Sequence, residues 1–133
     1  MRIVLDTSVY LAATKSNGYA ASQLLRCGPN GPYRLYISPQ IIVEVQEKLV
    51  AKMGFSGEEA GIFIEMIMIY AQLVFPKTKV DGVLADKDDH TILECADEVK
   101  AEVIFSADKG LLKLKKYNGA TIAHPTMMQY WLI

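Results

Sequence analysis

Four acids stand where apolar segments stop or helices start. Asp6 follows Ile3-Val4-Leu5, Glu44 lies shortly after Ser38-Pro39, Asp89 precedes the apolar positions Ile92 and Ala96, and Asp108 follows Val103-Ile104-Phe105. Tens of residues separate them, so only a fold can bring them together. Carboxylates gathered a few ångströms apart raise one another's pKa or require a counter-ion, and hard oxygen ligands select Mg2+ or Mn2+ over softer metals. One or two such ions can activate water and neutralise a phosphodiester in its transition state, so the chemistry expected of this set is phosphodiester hydrolysis. No histidine or lysine is placed as a dedicated general acid, which leaves protonation of the leaving group to solvent or metal-bound water.

Each acid also has a plainer reading. Asp6 can cap the turn after a strand, and Asp108 can cap a helix starting near Lys109. Glu44 can be an ordinary glutamate on an amphipathic helix. Asp88 and Asp89 both suit a helix N-cap, and periodicity does not separate them. His90 and His124, the only histidines, have no partner at metal-ligand spacing and receive no role. Cys27 and Cys95, the only cysteines, form no CxxC pair and are expected to be buried free thiols.

The elements that would carry the acids read as alternating strands and helices. Arg2 to Asp6 is a short β-branched run, followed by a helical stretch around Tyr19 to Arg26 and a loop over 27–32 rich in Gly, Pro and Asn. Leu35-Tyr36-Ile37 is a second strand. Ser38-Pro39 then starts a helix to about Met53, with Ile42, Val45 and Leu49 at helical spacing and Gly54 as its stop. Ser56-Gly57-Glu58-Glu59 offers a capping box ahead of an apolar helix from Ala60. A third strand is expected over 73–77, a helix from Asp88 or Asp89, a fourth strand over 102–105, a short helix carrying Leu111, Leu112 and Leu114, a last strand over 121–123, and a closing helical turn over 126–132. Units of about 30 residues imply right-handed βαβ crossovers and a parallel sheet, an α/β class in one domain spanning 1–133.

Composition supports this. At 133 residues, 51% hydrophobic and 22% charged, the chain suits a single globular core and excludes disordered, collagenous and coiled-coil classes. The apolar run from Ala60 to Phe75 is interrupted by Glu65 and Gln72 and is shorter than a bilayer span; with no secretory signal at the N-terminus, a cytoplasmic protein is expected. That run has more apolar surface than one buried face needs, which predicts a homodimer or a groove for a partner helix. The net charge of −1 hides an acidic block at 81–108, with a balance of −7, beside a stretch at 109–133 that holds Lys109, Lys113, Lys115 and Lys116 and no acid. Those lysines are either a solvated face or contacts to the phosphates of a polyanion.

Asp6-Thr7-Ser8-Val9, Ser38-Pro39 followed by Glu44, Asp89 seven residues before Ala96, and Ser106-Ala107-Asp108 resemble, in order and spacing, the PIN-domain ribonucleases. The resemblance covers essentially the whole chain and is strongest to the VapC-like toxins of prokaryotic toxin–antitoxin pairs. It implies a three-layer α/β/α fold whose parallel sheet has the order 3-2-1-4-5, and a site binding Mg2+ or Mn2+. Asp6, Glu44, Asp89 and Asp108 match the family's acidic positions, with Asp88 as an outer partner. Thr7 and Ser8 match the positions beside the first acid that bond a ligand or water. Many relatives have asparagine in place of Ser8 and threonine in place of Ser106; both changes keep a side-chain oxygen. The implied activity is cleavage of RNA, restrained by a cognate antitoxin. A non-catalytic PIN scaffold binding RNA or protein is the alternative. A haloacid-dehalogenase-like phosphohydrolase ranks below both, because Ser8 stands where its second aspartate would be.

Overall fold

β-Branched and apolar residues with no room for water on either face form the centre of the sheet. In β1 (Arg2–Leu5) three of four residues are buried, and in β4 (Val103–Phe105) all three are, as expected of parallel strands covered on both sides. The structure, a computed structural model, describes residues 1–15, 27, 31–84 and 86–130. The remaining elements are α1 (Thr7–Ala12), β2 (Arg34–Ile37), α2 (Pro39–Ala51), α3 (Gly57–Tyr70), β3 (Ala71–Leu73), α4 (Asp88–Val99), α5 (Lys109–Leu114), β5 (Lys116–Tyr117), β6 (Ala120–Ala123) and a 3-10 helix at Pro125–Tyr130.

The sheet order is β3-β2-β1-β4-β6-β5, with every pairing parallel except β5 with β6. The five strands expected from the sequence thus keep their expected order, and the sheet is corrected by one addition. Asn118 and Gly119, both at positive φ, form a two-residue turn that folds Lys116–Tyr117 back onto β6. Asn-Gly is a strong signal for such a hairpin. The chain runs from β1 outward to β2 and β3, then returns to β4 on the other side. Right-handed crossovers therefore place the two sets of helices on opposite faces and put the switch point between β1 and β4.

Local chemistry sets the helix boundaries. The Ser38 hydroxyl accepts from Ile41 N at 3.3 Å with Pro39 in the first helical position, and Ile41, Val45 and Leu49 bury one stripe of α2. Burying each such side chain contributes about 1.5–3 kcal/mol. Ser56 and Glu59 complete the expected capping box of α3. The third strand begins earlier than expected, running directly on from α3. Beyond Leu73, Val74 N still donates to Ile37 O, whereas Pro76 has no N–H with which to extend the ladder. α1 replaces what reads from sequence as turn, and the helix expected around 19–26 lies outside the described residues. Among the described residues no helix is long and apolar enough to cross a membrane.

Candidate functional site

The register of the two central strands places the first acid. Leu5 pairs with Phe105, and Asp6 N donates to Phe105 O at 2.9 Å, so Asp6 and Ser106 emerge side by side at the carboxyl end of the sheet. Asp6 precedes α1, but its carboxylate does not cap that helix. Instead Asp6 Oδ2 accepts from Ser8 Oγ and from Ser106 Oγ, each at 2.8 Å. The plain capping reading of Asp6 thus fails, since its carboxylate is engaged by the hydroxyls of Ser8 and Ser106 instead. Thr7 is also buried beside Asp6, and its hydroxyl has no hydrogen-bond partner among the described residues.

Asp108 is reached through the same serine, because Ser106 Oγ accepts from Asp108 N at 2.9 Å. Asp108 is also the N-cap of α5, with Oδ2 accepting from Leu111 N at 3.0 Å. Capping and site membership coexist here, since the bond fixes one oxygen and aims the carboxyl group. Gly110 leaves space for it: a Cβ there would lie 3.1 Å from Asp108 Oδ2.

Asp88 and Asp89 occupy the first turn of α4, and neither is its N-cap, which is Lys87. The cap role expected of them passes to Asp86, whose Oδ1 accepts from Asp88 N at 3.0 Å. Asp89 is half-buried, and its pKa is pushed up from the ordinary 3.8 to about 7, first by burial and then by the negative charges of Asp108, Asp6, Asp86 and Glu44. One carboxyl group therefore feels all three of the other expected acids, carried on separate elements. α4 itself is tied down by a ladder at helical spacing. His90 Nε2, Glu94 Oε2 and Glu98 Oε1 accept from the backbone amides of Leu84, Val80 and Lys77 at 3.0, 2.9 and 2.9 Å. His90, without a role in the sequence reading, is a buried strut beside Asp89.

Glu44 lies one residue before the buried Val45 on α2, facing the same region. Its Oε1 accepts from Lys48 Nζ at 2.8 Å one turn further on. Burial works against the Lys48 charge, but the hydrogen bond to Glu44 and the negative field of Glu44, Asp6 and Asp88 outweigh it and raise its pKa. Lys48 and Asp86 are the charged members of the site that sequence reasoning missed. Glu44, Lys48 and Asp88 line one cleft of about 410 Å³ together with Pro39, Val43 and Thr91. A second concavity, along Arg34–Tyr36 and Ile69–Gln72, lies away from the acids.

Among the described residues no three Asp, Glu, His or Cys side chains are already drawn close enough to grip an ion. The donor set nonetheless suits a hard divalent cation. It is all oxygen, it is net negative, and burial and then the neighbouring negative charges push one member, Asp89, up to about 7. Glu44 meets the cleft with Oε1 already bonded to Lys48. Lys109, Lys113, Lys115 and Lys116 are exposed beyond Asp108 and form no ion pair among the described residues. Cys27 and Cys95 are buried and form no disulfide, and burial pushes both thiols up to about 12.

A family model described as the PIN domain matches residues 2–110. No curated protein matches the chain. Solved structures that share its fold include two VapBC proteins. VapBC-1 from nontypeable Haemophilus influenzae aligns with a TM-score of 0.67 and 17% identity, covering 95% of this chain and 99% of that one. VapBC2 from Rickettsia felis, bound to a DNA fragment from their promoter, aligns with a TM-score of 0.64 and 14% identity, covering 92% and 97%.

Proposed function

We propose that this chain, which belongs to the PIN-domain family, is a Mg2+- or Mn2+-dependent endoribonuclease and the toxin of a toxin–antitoxin pair. The observation that carries the reading is the convergence of charge on Asp89, where Asp6, Glu44 and Asp108 all act on one half-buried carboxyl group. Asp6, Asp89, Asp108 and Glu44 would hold one or two divalent ions. When bound, such an ion supplies Lewis-acid neutralisation of the phosphodiester and lowers the pKa of water.

The chain's own residues orient and balance the site. Ser8 and Ser106 fix Asp6 Oδ2, which leaves Oδ1 without a hydrogen bond among the described residues. Ser106 also holds the backbone at Asp108, so one buried hydroxyl couples the acids that follow β1 and β4. Thr7 adds an unspent hydroxyl beside Asp6, and Asp88 lies at the rim as an outer partner. The exposed lysines at 109, 113, 115 and 116 are assigned to RNA phosphates, where positive charge offsets a site that would otherwise repel its substrate.

The partner assignment draws on the two fold neighbours, both VapBC complexes. Ile62 and Ile69 on α3 are 61% and 71% exposed and Phe75 is 67% exposed, more apolar surface than water favours. We assign that face to a homodimer; a monomer in sedimentation at micromolar concentration would remove the assignment.

The test is cleavage of a mixed RNA pool with Mg2+, with Mn2+ and with EDTA, beside an Asp6→Asn/Asp89→Asn double variant. Metal-dependent cleavage that the double variant lacks is the expected outcome. RNA binding without cleavage under either metal would favour a non-catalytic scaffold.

A further inference from the structure

Two ion pairs occur among the described residues, and only Lys48–Glu44 engages a site acid. It differs from an ordinary pair on a helix surface. The Glu44 side chain is 15% exposed and the Lys48 side chain 32%, and their bond is 2.8 Å long. Both residues immediately precede core positions, Val45 and Leu49, so the helix presents them together to the cleft that also contains Asp88. The ammonium thus sits where acids from α2 and α4 meet.

We propose that Lys48 is the site's resident cation: it holds Glu44 while no divalent ion is bound, yields that carboxylate when one binds, and so lowers the site's affinity for the ion. The ammonium on Glu44 Oε1 competes with a divalent ion for that carboxylate, and a positive charge left nearby repels the ion. Lysine suits the part, because its charge rides on four flexible carbons and can swing into the cleft once released. In the metal-free state the same charge moderates repulsion among the gathered carboxylates, which keeps the site folded. An exposed pair of no consequence would contribute a few tenths of a kcal/mol to the helix and nothing to ion binding. This inference rests on the metal-site reading above.

The experiment is direct Mn2+ binding, followed by the paramagnetic signal of free Mn2+, to metal-free full-length chain at low ionic strength. Lys48→Met is expected to bind Mn2+ about tenfold more tightly than wild type, whereas Lys48→Arg, which keeps the charge, stays within about twofold. In EDTA the Lys48→Met variant is expected to melt below wild type, with the gap closing as Mn2+ saturates the site. If Lys48→Met does not fold, Lys48→Gln serves in its place. Equal or weaker Mn2+ binding by the neutral variants, with wild type binding normally and Asp6→Asn not, would overturn the role of Lys48 and leave the nuclease reading standing. No Mn2+ bound by wild type or by any Lys48 variant would overturn both.

Discussion

Asp89→Asn is expected to make the metal-free protein more stable, although it should abolish metal-dependent activity. The Asp89 carboxyl titrates near 7 in the folded chain, because burial and then Asp108, Asp6, Asp86 and Glu44 all oppose its charge. In the unfolded chain it titrates near its ordinary 3.8. A raised acid favours the folded state fully below the unfolded value, and that advantage is lost as pH rises from about 4 to about 7. A shift of roughly three units corresponds to at most about 4 kcal/mol. Asp89 is only half-buried, and solvent screening reduces this to about 1–2 kcal/mol. Asparagine keeps the shape and never ionises, so it avoids the loss. Urea unfolding in EDTA at pH 4.5 and at pH 8 measures both ends of the window. The variant should gain about 1–2 kcal/mol on wild type at pH 8 and much less at pH 4.5. Adding Mg2+ at pH 8 should stabilise wild type and leave the variant unchanged. A variant less stable than wild type at pH 8, or a gap independent of pH, would refute the electrostatic account of the site.

Other perturbations separate the supporting parts. Ser106→Ala removes a donor to Asp6 and an acceptor for the Asp108 amide; it should cost about 1–3 kcal/mol in chemical unfolding and weaken Mn2+ binding more than Ser8→Ala does. Glu94→Ala orphans the Val80 amide and should cost about 1–3 kcal/mol, with amide exchange rising at residues 77–84 before the rest of the chain, while Glu94→Gln keeps an acceptor and most of the stability. Gly110→Ala crowds Asp108 Oδ2 and should lower RNA cleavage severalfold with little change in melting temperature. If the lysine tract contacts phosphates, neutralising Lys109 and Lys113 together should lower the salt dependence of RNA binding, measured as the slope of log affinity on log salt.

What could be read from sequence was local, or followed from the topology that local patterns imply. The ends of β1 and β4 were visible as apolar runs stopping at Asp6 and just before Ser106-Ala107-Asp108, and the alternation of strands and helices forced those ends to one edge of the sheet. The caps at Ser38 and Ser56 were equally plain, because each depends on residues within one turn. The Asn118-Gly119 hairpin likewise has a local signal, in the Asn-Gly pair itself. Other features had no such signal. Glutamate and lysine four apart occur on many exposed helices, so nothing set Glu44 and Lys48 apart until α2 was placed against acids on other elements. The bonds from Glu94 and Glu98 reach amides 14 and 21 residues away in an irregular segment, which periodicity does not address. The helix Thr7–Ala12 is too short for a periodic pattern to establish, and its place is set by β1 rather than by propensity.

An anomalous-difference map from crystals grown with Mn2+ decides whether acids from separate elements form one divalent-cation site. A peak bounded by the carboxylates of Asp6, Asp89 and Asp108 is expected, with Glu44 turned away from Lys48. Mn2+ bound only elsewhere, in crystals of a protein that still cleaves RNA, would contradict it.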